Sequence, residues 1–370
     1  MVVNMKGWTQ KAAGFGSIVL VMIAVLCVAN RIPQVVTQNT ALAAAGFIMP
    51  GGAAEAFESD FLEEEEEDGG TGSQAFSSVP EEMSSMPASS VPESSSQVSS
   101  QASSETSSTP ASSVPSSSLG AKIQEISIAN SGVQYQNIWV RNSNKNHGID
   151  IASELAKAPA VKIKKNSTPQ VLIYHTHTTE AFLGDTRSQD LSRSVVAVGD
   201  QIEAQLKAAG INVVHDKTVH DYPTYNGSYD RSKVTMQKNL KQYPGIQVTL
   251  DIHRDAMAAS NGTRIKPTAV INGKKAAQVM IISGCDDDGT YGFPNWEYNL
   301  RLAVRLQQSV ATMYPGLARP LNFCPRKYNE NLTKGSLLVE IGTEVNTLDE
   351  AKYTGELFGK ALVDTLNKLT

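Results

Sequence analysis

A long serine-rich stretch limits the part of this 370-residue chain that can fold into a compact domain. From residue 73 to about residue 118 the sequence is dominated by serine, with proline, glutamine and glutamate and few large apolar side chains. Residues 63–68, just before it, are six consecutive carboxylates, whose mutual repulsion favours a solvated chain. Such segments bury too little apolar surface to offset the entropy lost on ordering. The sequence therefore predicts a disordered, acidic and Ser/Pro-rich linker over residues 51–120 and a folded domain over residues 121–370.

An uncharged apolar run lies upstream of that linker. Residues 12–29 contain no charged side chain, and a helix of this length crosses the ~30 Å hydrocarbon core of a bilayer. Lys6 and Lys11 precede the run and only Arg31 follows it closely, a bias that predicts a cytoplasmic N-terminus. A cleaved signal peptide is the alternative, and it also places the remaining chain outside the cytoplasm. We therefore expect a single-pass protein of the cell membrane, with a cytoplasmic tail (residues 1–11), a transmembrane anchor (residues 12–30) and an extracytoplasmic domain.

Charge balance and cysteine spacing argue against several classes of function. The formal net charge is −5, whereas nucleic-acid binding needs a basic face, so no nucleic acid is expected as a partner. Cys285 and Cys324 are far apart and neither belongs to a CxxC motif, which argues against a zinc–thiolate site. Two separate thiols are favoured, and a disulfide between them is the alternative. The HExxH, P-loop, GxSxG and GxGxxG motifs are absent, which argues against thermolysin-type, nucleotide-binding and serine-hydrolase chemistry.

Short apolar runs alternate with amphipathic patterns from about Ile123 onward. The pattern predicts strands at residues 171–174, 211–214, 247–252, 277–283 and 336–341, and helices at residues 195–206 (closed by Gly210), 229–240, 296–313 and 349–369. This alternation predicts an α/β domain with a mostly parallel sheet covered by helices on both faces. In such folds the functional groups collect beyond the carboxyl ends of the strands.

Polar side chains directly follow three of these strands. VLIY leads into His177 and Glu180, QVTLDI leads into His253, and SLLV leads into Glu340. A catalytic zinc usually takes three nitrogen or oxygen ligands and leaves one position for water, and His177 and Glu180, in HxxE spacing, supply such a set together with His253. Zinc lowers the pKa of its water toward ~7, and Glu340 is then the candidate general base that passes the water proton to the leaving amine. The sequence therefore predicts a Zn²⁺ hydrolase.

Neighbouring residues leave alternatives open. His175 and His177 flank one threonine, and we expect only one of them to face the ion. We favour His177 because it pairs with Glu180, and His175 is the alternative ligand. Arg254 could bind a substrate carboxylate as a bidentate fork, or pair with a neighbouring aspartate. Residues 225–229 could form a wall of the cleft or only a turn. The remaining histidines of this part of the chain, His147, His215 and His220, are interpreted as peripheral.

Four sequence blocks occur together in residues 121–370: VLIYHTHTTEAF, VGDQIEAQLKAAGINVVHDKTVHDYPTYNGSYDRS, TLDIHRDA and LLVEIGTEVNTLDEA. In this combination the chain resembles the stage II sporulation protein P family, and its anchor-plus-linker layout is similar too. The resemblance implies an endospore-forming Gram-positive source and a role in forespore engulfment, with stage II sporulation proteins D and M as partners at the membrane. It also implies N-acetylmuramoyl-L-alanine amidase activity on peptidoglycan, with a tendency to cut stem peptides or their cross-links as well.

That family is similar to the zinc amidases of peptidoglycan, whose fold is an α/β sheet. In those amidases a Glu ligand comes from the helix that follows the first strand. The matching helix here begins near Ser194 and has no Glu at that place, which favours Glu180 as the carboxylate ligand. The predicted function is a membrane-anchored, zinc-dependent peptidoglycan amidase and endopeptidase of sporulation. The alternatives are a non-catalytic wall-binding scaffold and a zinc carboxypeptidase.

Overall fold

The computed structural model of the protein describes residues 122–370. The predicted cytoplasmic tail, transmembrane anchor and linker over residues 51–120 lie outside these described residues. Among residues 122–370, no helix combines the length and the apolar character that a membrane crossing requires. The described residues therefore correspond to the folded domain that the sequence predicts after the linker.

Strands and helices alternate along the described chain, with consecutive strands at its start and in its middle. The helices are α1 (Ile151–Ala156), α2 (Val195–Ala208), α3 (Ser228–Gln242), α4 (Trp296–Met313) and α5 (Leu348–Asn367). The strands are β1 (Ile123–Ile126), β2 (Val133–Tyr135), β3 (Ile138–Asn142), β4 (Val171–Tyr174), β5 (Val213–His215), β6 (Val248–Asp255), β7 (Arg264–Ile271), β8 (Lys274–Ala277), β9 (Val279–Gly284), β10 (Leu321–Cys324) and β11 (Ser336–Thr343). Every element that the periodicity predicts is present within a few residues of its expected bounds.

Local sequence signals explain where the helices near the site begin and end. The Ser194 hydroxyl accepts a hydrogen bond from the Val196 backbone N–H at 3.2 Å, which satisfies a free donor at the start of α2. Gly210 follows α2 with φ of 73°, a left-handed conformation that glycine adopts without steric cost. Thr347 and Glu350 form a capping box at the start of α5. The predicted end of α2 at Gly210 is confirmed.

Eight strands form one sheet in the order β2-β3-β10-β9-β11-β6-β4-β5. One block, β3-β10-β9, is internally parallel, as is the block β11-β6-β4-β5, but the two blocks run antiparallel where β9 meets β11. The sheet is therefore mixed rather than mostly parallel, which corrects the expectation from the sequence. The physical reason is that β6 to β9 follow one another without the crossover helix that parallel neighbours require. A smaller sheet has the order β1-β7-β8.

Side chains of β4 alternate between two cores and so define the layers around the site. Ile173 belongs to the main core, which also contains Ile202 of α2 and apolar side chains of α4 and α5. Leu172 belongs to a second core with Met236 of α3. Because successive side chains of a strand point to opposite faces, α2 and α3 cover opposite faces of the sheet at β4. The carboxyl ends of β4, β6 and β11 lie side by side at one edge of this layered structure.

The two cysteines of the described chain are both buried and both free. This agrees with the interpretation of two separate thiols and not with a disulfide between them. Burial raises the pKa of the Cys285 thiol to about 12, and the nearby carboxylate of Asp287 adds to this effect. Burial also raises the pKa of the Cys324 thiol. Both side chains are therefore protonated at neutral pH and are weak nucleophiles in this state.

Candidate active site

The pairing of β4, β6 and β11 brings the predicted site residues into one place. Glu340 on β11 lies directly opposite His253 on β6 in the parallel register. Tyr174, the last residue of β4, lies opposite Asp251 on β6, so the segment that carries His177 leaves the sheet next to His253. The structure therefore assembles side chains that are far apart in sequence at the carboxyl edge of three neighbouring strands, where ligand sites of α/β folds form.

The central group consists of two imidazoles and one carboxylate. The rings of His177 and His253 have centroids 5.2 Å apart and are nearly perpendicular, at 82°. Glu180 Oε2 lies 3.5 Å from His253 Nδ1 and accepts a hydrogen bond from the Arg254 backbone N–H at 3.0 Å. His177, Glu180 and His253 are 4%, 6% and 3% exposed, respectively. Three groups of metal-ligand type are thus withdrawn from solvent together.

Asp251 contacts one ring nitrogen of His253 and raises the pKa of this imidazole. Its Oδ1 lies 2.9 Å from His253 Nε2, while the Thr176 backbone N–H donates to the same oxygen at 2.8 Å. Burial lowers the pKa of His253, but Asp251 and Glu180 outweigh burial and hold this pKa well above its ordinary value. The sequence interpretation missed Asp251. The signal that could have found it is the DxH spacing on β6, because alternation places residues two apart on one face of a strand.

Glu340 is a buried carboxylate with an unsatisfied oxygen. Its side chain is 8% exposed, and among the described residues no hydrogen-bond donor reaches its Oε2. Burial raises the pKa of Glu340 to about 8, and the charge of Asp255 adds to this effect while His253 opposes it. Glu180 behaves differently: burial raises its pKa, but Arg254 and His253 outweigh burial and lower this pKa to about 2. The two carboxyl groups therefore differ in proton affinity, as an acid–base residue and an anionic ligand do.

Two tyrosines line the side of the site that carries His177. The Tyr225 ring stacks on the His177 ring with a centroid distance of 4.4 Å, and its hydroxyl lies 3.1 Å from Nε2. Tyr229 approaches the same imidazole edge-on at 5.6 Å and contacts the ring of Tyr328 at 5.7 Å. The segment from Tyr225 to Tyr229 is therefore a wall of the site, which was one of two interpretations of residues 225–229.

His175 faces away from this group. Its ring is fully buried, with Nδ1 2.9 Å from the Ile252 carbonyl oxygen and Nε2 2.9 Å from Nε2 of His215. Burial lowers the pKa of His175 to about 3, and His215 adds to the effect. The structure thus groups His177, and not His175, with Glu180 and His253. Which imidazole binds a metal remains a prediction.

Arg254 has structural partners within the described chain. Its Nε donates to the Ala181 carbonyl at 3.2 Å, and its Nη2 donates to the Thr186 carbonyl at 3.0 Å. Its Nη1 lies 3.8 Å from Glu180 Oε1. These contacts hold the loop that carries Glu180 against β6, and none of them is with an aspartate. A role in substrate binding remains a prediction.

Comparison with known proteins identifies the family. Residues 61–363 match the family model of stage II sporulation protein P. The chain belongs to the stage II sporulation protein P family. It is 28% identical to stage II sporulation protein P of Bacillus subtilis (strain 168) over 262 residues, which cover 61% of this chain and 62% of that relative. The chain thus spans less than two thirds of the length of this relative.

Solved structures of low sequence identity resemble parts of the chain. N-acetylmuramoyl-L-alanine amidase AmiC2 of Nostoc punctiforme is 14% identical, with a TM-score of 0.34 over 56% of this chain and 97% of that one. The CwlD amidase from Clostridioides difficile, in complex with the GerS lipoprotein, is 11% identical, with a TM-score of 0.32 over 54% and 98% of the two chains. Scores this low carry no argument about the site.

For this family member, the donor chemistry of the predicted set fits zinc. His177, Glu180 and His253 are two imidazoles and one carboxylate, the ligand types of a catalytic zinc site. The contact between Asp251 and His253 Nε2 is the carboxylate–histidine arrangement that commonly orients a metal-binding imidazole. The partnerless oxygen of Glu340 beside this set is consistent with a missing positive charge or proton donor.

The spacing of the same donor atoms is not that of a closed metal site. Among residues 122–370, two other groups of side chains each bring one ligand atom per residue within 4.8 Å of one another: His147 with Cys285 and Asp287, and Asp200 with Glu203 and His215. The predicted set is not among them. The three side chains would have to rearrange before their ligand atoms could bind one ion. Glu180 and His253 are already in contact, at 3.5 Å.

Proposed function

We propose that this member of the family is a zinc-dependent peptidoglycan hydrolase, an N-acetylmuramoyl-L-alanine amidase with endopeptidase activity that acts in sporulation. The observation that carries the proposal is the buried convergence of His177, Glu180 and His253 beside Glu340 at three adjacent strand ends. Family membership supports the sporulation role. The relative from Bacillus subtilis carries the same family name.

The chain's own residues divide the chemical work. His177, Glu180 and His253 would hold the metal, which when bound supplies Lewis-acid polarisation and an activated water. In its ionised form Glu340 accepts a proton at Oε2 and delivers it to the leaving amine, since within residues 122–370 no donor competes for that oxygen. Without a bound cation burial raises the pKa of Glu340 to about 8, so it is a stronger base than an exposed glutamate, and the charge of a bound metal would favour the ionised form that accepts the proton. Asp251 holds His253 in one orientation throughout.

The surroundings of the site shield these groups from bulk solvent. Tyr225 covers one face of the His177 ring, and the Arg187 guanidinium lies 4.2 Å above the centroid of the Tyr225 ring. Arg254 fixes the loop that carries Glu180 through two backbone carbonyls. Low local dielectric strengthens the electrostatic interactions of a catalytic group. Tyr225 over the His177 ring and the loop that Arg254 fixes beside Glu180 therefore help to preorganise the site.

The cellular setting belongs to the same proposal. An anchor over residues 12–30 and a linker over residues 51–120 would allow an extracytoplasmic domain to search the cell wall at some distance from the membrane. The apolar run and the Ser/Pro-rich composition support this arrangement. Stage II sporulation proteins D and M are the partners proposed at the membrane, with forespore engulfment as the process.

The test is digestion of purified peptidoglycan by the full-length protein in detergent micelles. We expect release of whole stem peptides, its loss on chelation and its return with added Zn²⁺. Glu340→Gln should lower the rate by about 10²–10⁴-fold, the usual contribution of general acid–base catalysis. Glu344→Gln on the same segment, whose carboxylate pairs with Arg264 at 3.2 Å, is the matched control for charge loss.

Three results would contradict parts of the proposal. Equal stem release with and without chelator would defeat the zinc mechanism. Sedimentation with the wall but no soluble product would favour the scaffold. Release of single terminal residues in place of whole stems would favour the carboxypeptidase.

A further inference from the structure

A second group of metal-ligand side chains lies between α2 and β5, apart from the proposed zinc ligands. His215 Nδ1 is 3.2 Å from Asp200 Oδ1 and 3.2 Å from Glu203 Oε2. The His215 side chain is only 1% exposed, whereas those of Asp200 and Glu203 are 41% and 18% exposed. A buried imidazole nitrogen therefore points at two carboxylates that reach solvent.

The hydrogen bonds of the neighbouring histidine determine which nitrogen of His215 carries a proton. His175 Nδ1 faces the Ile252 carbonyl at 2.9 Å, and a carbonyl only accepts, so His175 carries its proton at Nδ1. Nε2 of neutral His175 is then an acceptor, and Nε2 of His215, 2.9 Å away, must be the donor. In neutral His215 this leaves Nδ1 with a bare lone pair. Three acceptors from His215, Asp200 and Glu203 consequently face one another.

Three acceptors in contact repel one another unless a proton or a cation lies among them. A proton on His215 Nδ1 is one solution, and the contact with Glu203 Oε2 has hydrogen-bond geometry. Charge-assisted N–H···O contacts are usually shorter, about 2.7–2.9 Å, whereas both contacts here are 3.2 Å. Zinc–ligand bonds of about 2.0–2.2 Å in a tetrahedral site place neighbouring ligand atoms roughly 3.3–3.6 Å apart. The observed spacing is closer to the second pattern.

Gly199 provides the space in which the two histidines meet. A Cβ at this position of α2 would lie 2.7 Å from His215 Nε2 and 3.0 Å from His175 Nε2, closer than real side chains pack. A glycine inside a helix costs about 1 kcal/mol relative to alanine. The backbone of α2 can approach the histidine pair only because residue 199 has no side chain, and this approach brings Asp200 and Glu203 to His215.

We propose that Asp200, Glu203 and His215 form a second cation site, which takes a divalent first-row transition metal such as Zn²⁺. One imidazole and two carboxylates, with the second imidazole nitrogen hydrogen-bonded to His175, make a ligand set with an oriented histidine. The ion would fasten α2 to β5, the two elements that supply the ligands. It is distinct from the proposed catalytic ion, with which it shares no ligand.

Two lysines identify the competitor that the ion must displace. Lys217 Nζ lies 2.6 Å from Asp200 Oδ1, the oxygen that faces His215. Lys207 Nζ lies 2.5 Å from Glu203 Oε1, the oxygen that faces away from the imidazole contact. Metal binding therefore releases Lys217 but leaves Lys207 in place. Removing the Lys217 ammonium with Lys217→Met should tighten the site, whereas Lys207→Met should have a smaller effect.

The experiment counts bound ions in the full-length protein. Metal-stripped protein in detergent micelles is equilibrated with Zn²⁺, freed of unbound ion by gel filtration, and analysed for zinc per chain. We expect two ions in the parent and one in Asp200→Asn/Glu203→Gln. The matched control is Glu356→Gln/Asp364→Asn on α5, which also removes two carboxylates paired with lysines, at 2.5 and 2.6 Å, but touches no histidine. The control should bind two ions.

Equal zinc content in the parent and in Asp200→Asn/Glu203→Gln would overturn the second site. If that shared content is one ion and chelation stops stem release, the proposed function stands and this inference fails. If Asp200→Asn/Glu203→Gln loses one ion while chelators leave stem release unchanged, the second site stands and the zinc mechanism of the proposed function fails. Both substituted side chains are partly exposed, so we expect the variant to fold. Circular dichroism and the melting temperature test this expectation.

Discussion

Two histidine pairs start from the same HTH sequence, and the pKa of one ring in each pair is shifted in opposite directions. His177 pairs with His253 in a pocket that contains the carboxylates of Asp251 and Glu180, and the pKa of His253 is raised despite burial. His175 pairs with His215 under α2, and the pKa of His175 falls to about 3 because burial is not offset. Both pairs are withdrawn from solvent. Burial alone therefore does not determine the charge of an imidazole. The balance between burial and neighbouring charges does, and at His215 burial outweighs two carboxylates in contact.

The same comparison explains how one short segment serves two sites. Side chains two residues apart would share a face in a regular strand, but β4 ends at Tyr174, and the segment after it is irregular. His175 continues toward β6, where its Nδ1 meets Ile252, and His177 reaches the pocket lined by Tyr225. The chain turn after the strand, and not the alternation rule, separates the two imidazoles.

The largest effect should come from exchanging the two histidines of the HTH segment for alanine, one at a time. His177→Ala removes a proposed metal ligand, so stem-peptide release by the full-length protein should fall to the level seen with chelator. His175→Ala leaves a cavity in a fully buried position and should mainly lower the melting temperature. Activity and melting temperature are measured for each variant at equal folded concentration. A His177→Ala protein more active than His175→Ala would reverse the assignment of the two pairs.

A smaller effect should follow from Asp251→Asn, which keeps the shape of the side chain but removes the charge beside His253. Loss of such a carboxylate partner typically weakens metal binding about 10–100-fold. The zinc concentration for half-maximal stem release should rise accordingly, while the rate at saturating zinc changes less. Thr176→Val is the matched variant, because it removes the 2.5 Å hydrogen bond to Asp251 Oδ2 without touching His253. Equal zinc requirements in both variants would argue against an orienting role.

Much of the fold and part of the site could be predicted from the sequence. Periodicity found β4, β6 and β11, and polar residues after each strand pointed to His177, His253 and Glu340, because neighbouring strand ends share an edge. The antiparallel pairing at β9 could not be predicted, since it depends on a missing crossover between β6 and β9. The short edge strands β1 and β2 contain no buried side chain, and β3 beside β2 contains only two, so these strands are too short or too exposed to be found by their period.

Residues whose surroundings depend on tertiary contacts were the hardest to place. His215 was interpreted as peripheral, yet its side chain is 1% exposed and contacts His175. The contact between His215 and His175 is possible only because Gly199 on α2 has no side chain that would fill this space. Nothing in the sequence marks this glycine as the residue that permits the contact. The orientation of Arg254 depends on the carbonyls of Ala181 and Thr186, which belong to an irregular loop. Tertiary contacts of this kind leave no periodic signal.

Gly199→Ala should destabilise the protein at the His175–His215 pair under α2. The added methyl group would meet His215 and His175 at 2.7 and 3.0 Å, and overpacking of this kind costs about 1–3 kcal/mol, which exceeds the helix-propensity gain of about 1 kcal/mol. Denaturant unfolding measures the change. Gly148→Ala, where a Cβ meets nothing within 4 Å, is the matched control and should be near neutral. A more stable Gly199→Ala protein would show that the histidine pair is not held at contact distance.

The smallest effect concerns the contribution of Glu340, beside the His177–His253 pair, to the pH dependence of stability. In chelator, the folded pKa of Glu340 is about 8, above the ordinary 4.5, so its contribution to stability is fully present below pH 4.5 and is lost as pH rises toward 8. The slope attributable to this one group is at most about 1.4 kcal/mol per pH unit. Glu340→Gln cannot ionise, so its unfolding free energy should fall less between pH 5 and pH 8 than that of the parent. Any slope from His253 has the same sign and remains in both proteins. The difference between their pH profiles therefore isolates Glu340, and superimposable profiles would mean that this carboxyl is already ionised at pH 5.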